Sequence, residues 1–305
     1  MALEPHVLTR EIQHKFIHIM GLGWLGRPLA SVLQQYGANV SGSVTSASKQ
    51  QMLLTESLTA DIFDLYKPIN KQYTSNGKVL ATRFTDASLV LNIPPGRTNF
   101  SQHAFVNSMI ALIDCAMQNG LQQLIFISTT SVFGEQHGKV NQHTAVQAKT
   151  ESGKAHQAIE AHLALYYPDK SKVLRPSGLI GPNPSDTSNK NLVAPKMRHP
   201  IYSLCHKSDI PNANDPVNLI HQADVIQAIL ALLSTQPVSH AFNLSALAHP
   251  SRKAYYQWCA KRLSLPIPTF LHDPKERQLG KLIDATQSFI DLDFTPTYAS
   301  PFDML

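Results

Sequence analysis

Three glycines near the start of the chain have the spacing needed to hold a phosphate group. They are Gly21, Gly23 and Gly26, in the pattern Gly-x-Gly-x-x-Gly. The first permits a tight turn, the second lets the backbone approach a diphosphate, and the third lets a following helix pack closely on the preceding strand. The free N–H groups and the positive end of that helix favour anions. We therefore expect this turn to bind a dinucleotide.

The residues after the second predicted strand bear on which dinucleotide is bound. NAD-binding proteins with such a turn usually place an Asp or Glu there, where its carboxylate bonds the ribose hydroxyls. Here residues 43–49 read Ser-Val-Thr-Ser-Ala-Ser-Lys, with no acid. A carboxylate would repel a 2′-phosphate, whereas the hydroxyl of Thr45 and the ammonium group of Lys49 could bond it. The sequence favours NADP over NAD, with an ordinary polar turn as the alternative.

A second group of hydroxyls follows a later apolar segment. Ser128, Thr129, Thr130 and Ser131 come directly after the run Gln-Leu-Ile-Phe-Ile. Ligands of parallel α/β sheets bind at the carboxyl ends of the strands, where these hydroxyls would stand. They could orient a polar substrate beside the nicotinamide, although the same composition is common in turns.

A regular alternation of strands and helices must position these residues. Apolar runs predict strands over 15–20, 39–44, 87–93, 123–128, 172–175 and 241–244. Apolar residues at helical spacing predict helices over 25–33, 105–116, 152–166, 224–233 and 252–263. This order predicts an α/β fold with a mostly parallel, doubly wound Rossmann sheet.

The amino-acid composition of the chain changes after the predicted strand at 172–175. Residues 181–216 are rich in Pro, Asn and Ser, which is typical of loops. We predict an NAD(P)-binding Rossmann domain over 14–175, to which 218–245 returns. A smaller substrate-binding lobe would then be built from 176–217 and 246–305.

Composition excludes several classes of protein. Of the 305 residues, 43% are hydrophobic and 15% charged, which is typical of a globular chain. The net charge is +5, but the basic residues are scattered along the chain, so they do not indicate a nucleic-acid partner. Cys115, Cys205 and Cys259 lack the spacing of a disulfide framework or zinc site, and no other metal motif occurs. With no apolar stretch of roughly 18 residues and no signal peptide, we expect a cytoplasmic protein that does not enter a membrane.

Several segments together resemble the extended short-chain dehydrogenase/reductase superfamily, and within it the nucleotide-sugar epimerase/dehydratase branch. They are FISTTSVFG at 126–134, IPPG at 93–96, RPSGLIGP at 175–182, PVNLIHQAD at 216–224 and AFNLS at 241–245. The resemblance implies an NAD(P) cofactor, a small polar or nucleotide-linked substrate, and a homodimer formed through helices at 101–118 and 152–166. The candidate cofactor-binding residues are Gly21, Gly23, Trp24, Leu25, Gly26, Thr45, Lys49, Ile93, Pro94, Pro95 and Ser128. The candidate substrate-binding residues are Thr130, Ser131 and Arg175.

The catalytic residues of that superfamily are only partly present. It uses a Ser or Thr, and a Tyr and a Lys four apart on one helix, usually followed one turn later by a Glu. Thr129 takes the Ser/Thr position. With Glu160 as the anchor, Ser152 takes the Tyr position and His156 the Lys position. The pKa of a serine hydroxyl lies far above the value of about 10 for tyrosine, so Ser152 cannot replace that acid unaided. Loss of the Tyr is a feature of atypical members, and the sequence looks most like the YeeZ-type group.

Two functions remain open at this point. Ser152 and His156 are four residues apart and could face each other, with His156 as acid or base and Thr129 orienting the substrate. Alternatively, His156 only lies near the cofactor ribose or on the helix surface. Arg175 could likewise reach a phosphate or form a structural ion pair. The sequence therefore predicts an NAD(P)-dependent oxidoreductase or epimerase/dehydratase-like enzyme, with a catalytically inactive dinucleotide sensor as the alternative.

Overall fold

The computed structural model describes residues 5–96, 100–183, 197–274 and 277–305. The strands are β1 (Phe16–Met20), β2 (Asn39–Val44), β3 (Thr59–Ile62), β4 (Ala87–Leu91), β5 (Gln123–Ile127), β6 (Gly138–Val140), β7 (Ser171–Pro176), β8 (Gly178–Pro182), β9 (Met197–Arg198), β10 (Leu219–His221), β11 (Ala241–Leu244) and β12 (Lys281–Ile283). The α-helices are α1 (Pro5–Ile12), α2 (Gly26–Gln35), α3 (Ala47–Leu54), α4 (Gln102–Gln118), α5 (Glu151–Tyr166), α6 (Ile201–Leu204), α7 (Gln222–Ser234), α8 (Arg252–Arg262) and α9 (Thr286–Asp291). Short 3₁₀ helices lie at Ile69–Lys71, Leu80–Phe84, Thr130–Phe133 and Pro301–Met304.

Seven strands form one parallel sheet in the order β11-β7-β5-β4-β1-β2-β3. Phe16 at the start of β1 pairs with Asn39 of β2 on one side and with Ala87 of β4 on the other. From β1 the chain first builds outward to β3, and then returns to place β4 on the opposite side. The order therefore reverses between β1 and β4, and ligands of doubly wound sheets bind outside the carboxyl ends of the strands at such a point.

Helices cover both faces of this sheet, because parallel strands need crossover connections that bury the sheet on both sides. On one face, Leu29 of α2 and Ile229 of α7 belong to one buried apolar cluster. On the other face, Phe105 of α4 and Ile159 of α5 belong to a second. The predicted α/β, doubly wound Rossmann class is confirmed.

A smaller group of elements, called the lobe below, comprises β8, β9, β10, α6 and α8. Its three strands form a separate sheet in the order β10-β8-β9, in which β8 and β9 are antiparallel. Ile180, Val217 and Tyr255 are among the buried residues of a core distinct from the two that flank the large sheet. The lobe thus has its own apolar interior beside the carboxyl ends of β1 and β4.

The structure also contains elements that the sequence patterns do not predict. Helix α1 lies in the polar N-terminal segment, α3 and β3 lie in a stretch left unassigned, and β12 and α9 lie in the proline-rich tail. Within the expected loop region 181–216, residues 184–196 lie outside the described residues, and β9 and α6 follow. The division into a Rossmann domain and a substrate lobe stays a prediction. Among the described helices, none combines the length and apolar composition needed to cross a bilayer.

Candidate functional site

The glycine turn is tightly packed at two of its three glycines. Gly21 follows β1 with a φ of +104°, and a Cβ there would lie 2.4 Å from the carbonyl oxygen of Asn92. A Cβ on Gly26 would lie 2.2 Å from the carbonyl oxygen of Gly21. A Cβ on Gly23 would instead meet no heavy atom within 4 Å. The first and third glycines are therefore required for packing, whereas the second leaves open space above the backbone.

Hydrogen bonds join the turn to the ends of β2 and β4. The backbone N–H of Gly21 donates to Ser43 Oγ at 3.1 Å, and that of Leu22 donates to the Ser43 carbonyl at 2.8 Å. The side-chain amide of Asn92 donates to the Gly21 carbonyl at 3.3 Å. Helix α2 begins at Gly26, and its cap residue Leu25 supplies no side-chain hydrogen bond. The N-terminal N–H groups of α2 therefore have no side-chain acceptor and favour an anion.

A cavity of about 540 Å³ opens above this turn, at the place where the strand order reverses. Its lining residues are Gly21, Leu22, Gly23, Trp24, Leu25, Ser43, Val44, Thr45, Lys49, Phe63, Leu65, Asn92, Ile93, Pro94, Leu179 and Arg198. None of these described residues is acidic, and Lys49 and Arg198 carry positive charge. A free approach to Gly23, two cations and a lining without carboxylates fit a ligand that carries phosphates. Of the predicted cofactor-binding residues, only Gly26, Pro95 and Ser128 do not line the cavity.

Thr45 and Lys49 lie together at one end of the cavity. Ser46 caps α3 by accepting a hydrogen bond from the backbone N–H of Lys49, which places Lys49 in the first turn of that helix. Its ammonium group lies 3.4 Å from Thr45 Oγ1. Both side chains are exposed, so their polar atoms are available to a ligand. They stand just after β2, where the sequence predicts contacts to the adenosine ribose.

Arg198 is a cavity residue that the sequence analysis did not identify. It ends β9, and its guanidinium carbon lies 4.7 Å from the ring centroid of Trp24. The indole N–H of Trp24 donates to the carbonyl of Pro182 at 2.6 Å. No local pattern around residue 198 marks it as a ligand. Its position depends on the pairing of β9 with β8, which the sequence did not predict.

The hydroxyl cluster after β5 mainly caps a short helix. Thr129 Oγ1 accepts a hydrogen bond from the backbone N–H of Ser131 at 3.1 Å, at the start of the 3₁₀ helix Thr130–Phe133. The Thr129 hydroxyl also donates to Ser131 Oγ at 3.1 Å. Thr130 is buried, and its carbonyl accepts from Lys281 Nζ at 3.2 Å. None of the three predicted residues is among those that line the cavity.

Arg175 and Glu160 form a buried ion pair, to which Ser128 adds a hydrogen bond. Arg175 donates from Nη2 to Glu160 Oε2 at 2.7 Å and from Nε to the same oxygen at 3.1 Å. The Ser128 hydroxyl donates to the other oxygen of Glu160. Ser128, Glu160 and Arg175 are exposed by only 5–7%. Arg175 thus forms the structural ion pair that the sequence left open as one of two alternatives. A ligand role for Arg175 or Ser128 stays a prediction.

His156 lies inside the helical layer as a neutral ring. Its Nδ1 is 2.8 Å from the carbonyl oxygen of Ser152, and because a carbonyl only accepts, Nδ1 carries the proton. Nε2 therefore keeps its lone pair. The ring stacks on Phe126 with centroids 5.7 Å apart, and burial lowers its pKa below 6.5. The contact with residue 152 is made by its backbone carbonyl and not by its hydroxyl, so the pairing of Ser152 Oγ with the imidazole that the spacing allows is not formed.

Solved structures with the same fold include enzymes that act on nucleotide sugars. UDP-glucuronic acid 4-epimerase from Bacillus cereus, in complex with NAD, matches with a TM-score of 0.71 at 17% identity, over 94% of this chain and 95% of that one. WbmG from Bordetella bronchiseptica, in complex with NAD and UDP, matches with a TM-score of 0.70 at 16% identity, over 93% and 90%. At these identities the likeness shows the fold.

Sequence comparison identifies the family. Protein YeeZ of Escherichia coli (strain K12) is 29% identical over 290 residues, which cover 95% of this chain and 98% of YeeZ. The profile of the NAD dependent epimerase/dehydratase family matches residues 17–245, which is most of the chain. The resemblance to the epimerase/dehydratase branch is thereby confirmed. The chain belongs to the NAD dependent epimerase/dehydratase family.

Proposed function

We propose that this protein binds NAD(P), with NADP preferred, and acts as an epimerase- or oxidoreductase-like enzyme on a small, nucleotide-linked substrate. The observation that carries the proposal is the cavity between Gly23, Lys49 and Arg198, which combines open backbone with two cations and has no acid among its described lining residues. The family supports the cofactor class. The UDP in the complex of WbmG supports the substrate class.

The cavity residues divide among the parts of the cofactor. The diphosphate would lie against Gly23 and the start of α2, and the adenosine ribose beside Thr45 and Lys49. When bound, the nicotinamide supplies a carbon that accepts and returns a hydride. Outside the cavity lining, next to the 3₁₀ helix Thr130–Phe133, the hydroxyl of Thr129 would turn from Ser131 Oγ to hold a substrate oxygen. His156 has a free lone pair on Nε2 that can accept a hydrogen bond but not donate one.

A second candidate function is a dinucleotide sensor without turnover. It is favoured by the state of His156, whose lowered pKa leaves Nε2 unprotonated at neutral pH and whose Nδ1 proton is held by the Ser152 carbonyl. Ser152 stands at the tyrosine position of the family, and its hydroxyl makes no contact with the imidazole that would activate it. The chain would therefore be better equipped to bind a cofactor and orient a substrate than to transfer a proton, for which Ser152 and His156 are weak groups.

An activity assay separates the two functions. Purified protein would be incubated with NADP or NAD and a panel of nucleotide sugars, with reduced nicotinamide followed by absorbance and sugar interconversion by NMR. The enzyme predicts turnover that falls at least tenfold in Thr129→Val, which keeps the shape and removes the hydroxyl. Tight cofactor binding with no turnover on any substrate supports the sensor, whereas absence of dinucleotide binding contradicts both.

The affinities of a Lys49→Ala variant for NADP and NAD test the proposed preference for NADP. One charge-assisted hydrogen bond contributes about 1.5–3 kcal/mol, so losing it weakens binding by about tenfold or more. We expect the affinity for NADP to fall by that factor and the affinity for NAD to stay within twofold. Equal losses for both cofactors would contradict a role for Lys49 at the 2′-phosphate.

We also propose that the lobe is the substrate side of the site and that two copies of the chain form a homodimer through α4 and α5. Exposed apolar residues on α5 support the dimer, since Leu165 and Tyr166 are 70% and 62% exposed. Light scattering on Leu165→Glu tests it. A dimer that dissociates in the variant supports this arrangement, and a wild-type monomer contradicts it.

A further inference from the structure

Arg198 belongs to the lobe, yet its side chain lines the cavity above the glycine turn. It pairs with Gly181 across the antiparallel β8–β9 ladder, which brings it to the cavity wall. The residue is exposed, and among the described residues no carboxylate forms an ion pair with it. Within the part of the chain that the structure describes, its charge therefore faces the cavity without a compensating acid.

Trp24 holds Arg198 in this position. The guanidinium lies 4.7 Å from the centroid of the indole ring, within the range of a cation–π interaction. Trp24 is itself fixed by two hydrogen bonds. Its indole N–H donates to the Pro182 carbonyl at 2.6 Å, and its backbone carbonyl accepts from Gln222 Nε2 at 2.8 Å. These contacts fasten residue 24, inside the glycine turn, to both strand β8 and the start of α7.

The position of Trp24 indicates which part of a dinucleotide Arg198 would meet. Trp24 directly follows Gly23, whose outer side is open, and lies two residues before the start of α2. Diphosphates bind at this point of a glycine turn. Lys49 lies instead on α3, after β2, beside Thr45. The two cations thus stand at different parts of the cavity, and the planar guanidinium suits the paired oxygens of a diphosphate.

We propose that Arg198 is a ligand of the cofactor diphosphate, positioned by Trp24, so that cofactor affinity depends on the lobe. This inference rests on the proposed binding of NAD(P). Arg198 and Lys49 then have separable effects. Arg198 contributes to the affinity for every ligand that carries the diphosphate, and Lys49 contributes only where a 2′-phosphate is present.

Calorimetry with four probes tests the assignment: NADP, NAD, ADP-ribose, and 2′-AMP, which lacks the diphosphate. We expect Arg198→Ala to weaken binding of the first three by about tenfold or more and to leave 2′-AMP within twofold. Arg198→Lys keeps the charge but loses the planar guanidinium, so its affinity for these three probes should lie between those of wild type and Arg198→Ala. Arg262→Ala is the matched control, because Arg262 also stacks on a tryptophan, Trp258, at 5.9 Å but does not line the cavity.

Tryptophan fluorescence gives a second readout. The chain has two tryptophans, so Trp258→Phe leaves Trp24 as the reporter. Dinucleotide binding should change Trp24 emission, and Arg198→Ala should shift the titration to at least tenfold higher concentrations. If Arg198→Ala binds the three diphosphate probes within twofold of wild type, the assignment of Arg198 is overturned while the proposed function stands. If wild-type protein binds no probe, the proposed function fails as well. Thermal unfolding would verify that each variant is folded.

Discussion

Gly23 and Gly26 belong to one turn but meet different surroundings. A methyl group at residue 26 would collide with the Gly21 carbonyl at 2.2 Å, whereas one at residue 23 has open space. We expect Gly26→Ala to lower the free energy of unfolding by about 2–3 kcal/mol. Gly23→Ala should change it by less than about 1 kcal/mol, yet weaken dinucleotide binding at least tenfold because its methyl group occupies the approach to the backbone. Urea unfolding and calorimetry check both, and equal stability losses would contradict this assignment.

His156 offers a test of protonation at a single residue. Its burial against Phe126 lowers its pKa below 6.5, and the contact with the Ser152 carbonyl fixes the proton on Nδ1. Nitrogen NMR of the ring should therefore show the Nδ1–H tautomer at neutral pH and a titration midpoint below 6.5. A midpoint above that value, or a proton on Nε2, would contradict the placement of this residue.

The sequence reveals the role of a single residue when that role depends only on residues close to it in the chain. The glycine turn and the acid-free stretch at 43–49 were recognisable because each function needs only neighbouring residues. The partner of Arg175 was not, because Glu160 reaches it from α5 through tertiary packing. Arg198 was missed for the same reason, since a strand pairing brings it to the cavity.

At the scale of elements, one buried ion pair fastens α5 to the central sheet. Arg175 of β7 binds Glu160 of α5, with both side chains less than 10% exposed. Removing one member leaves a buried charge, so Arg175→Met should lower the free energy of unfolding by about 3–5 kcal/mol. The control is Arg27→Met, which breaks a pair with Glu56 in which both side chains are about one third exposed, and should cost less than about 1 kcal/mol. Similar losses in chemical denaturation would contradict the structural role of Arg175.

The predicted elements were those with strong periodicity or continuous apolar runs. The strand at 241–244 was predicted with its observed bounds, and α4, α5 and α7 differ from prediction only at their ends. Helix α3 was missed because its apolar residues cluster at its end, leaving no helical stripe. Strand β3 has only four residues at the edge of the sheet, too few for an alternating pattern.

At the scale of the whole molecule, buried histidines such as His18 and His199 make stability depend on pH. Burial lowers the pKa of His18 and of His199 to about 4 each, while unfolding returns them to about 6.5. The unfolded chain therefore binds more protons between these values, and stability is lost as the pH falls. We expect a loss of about 1–2 kcal/mol per histidine between about pH 7 and pH 5.

Denaturant unfolding across that pH range checks this dependence. His18→Asn should be less stable than wild type at neutral pH but should lose less stability on acidification. His206→Gln, at an exposed position, is the control substitution. A His18→Asn slope equal to that of wild type would show that His18 is not neutral in the folded protein.

The central prediction is that the cavity above Gly23 binds a nicotinamide dinucleotide. Calorimetric titration of the wild-type protein with NADP and NAD tests it most directly, with Gly23→Ala as the folded control. We predict one dinucleotide bound per chain, NADP more tightly than NAD, and at least tenfold weaker binding in the variant. Absence of binding for both dinucleotides, or equal affinity in wild type and Gly23→Ala, would contradict the claim.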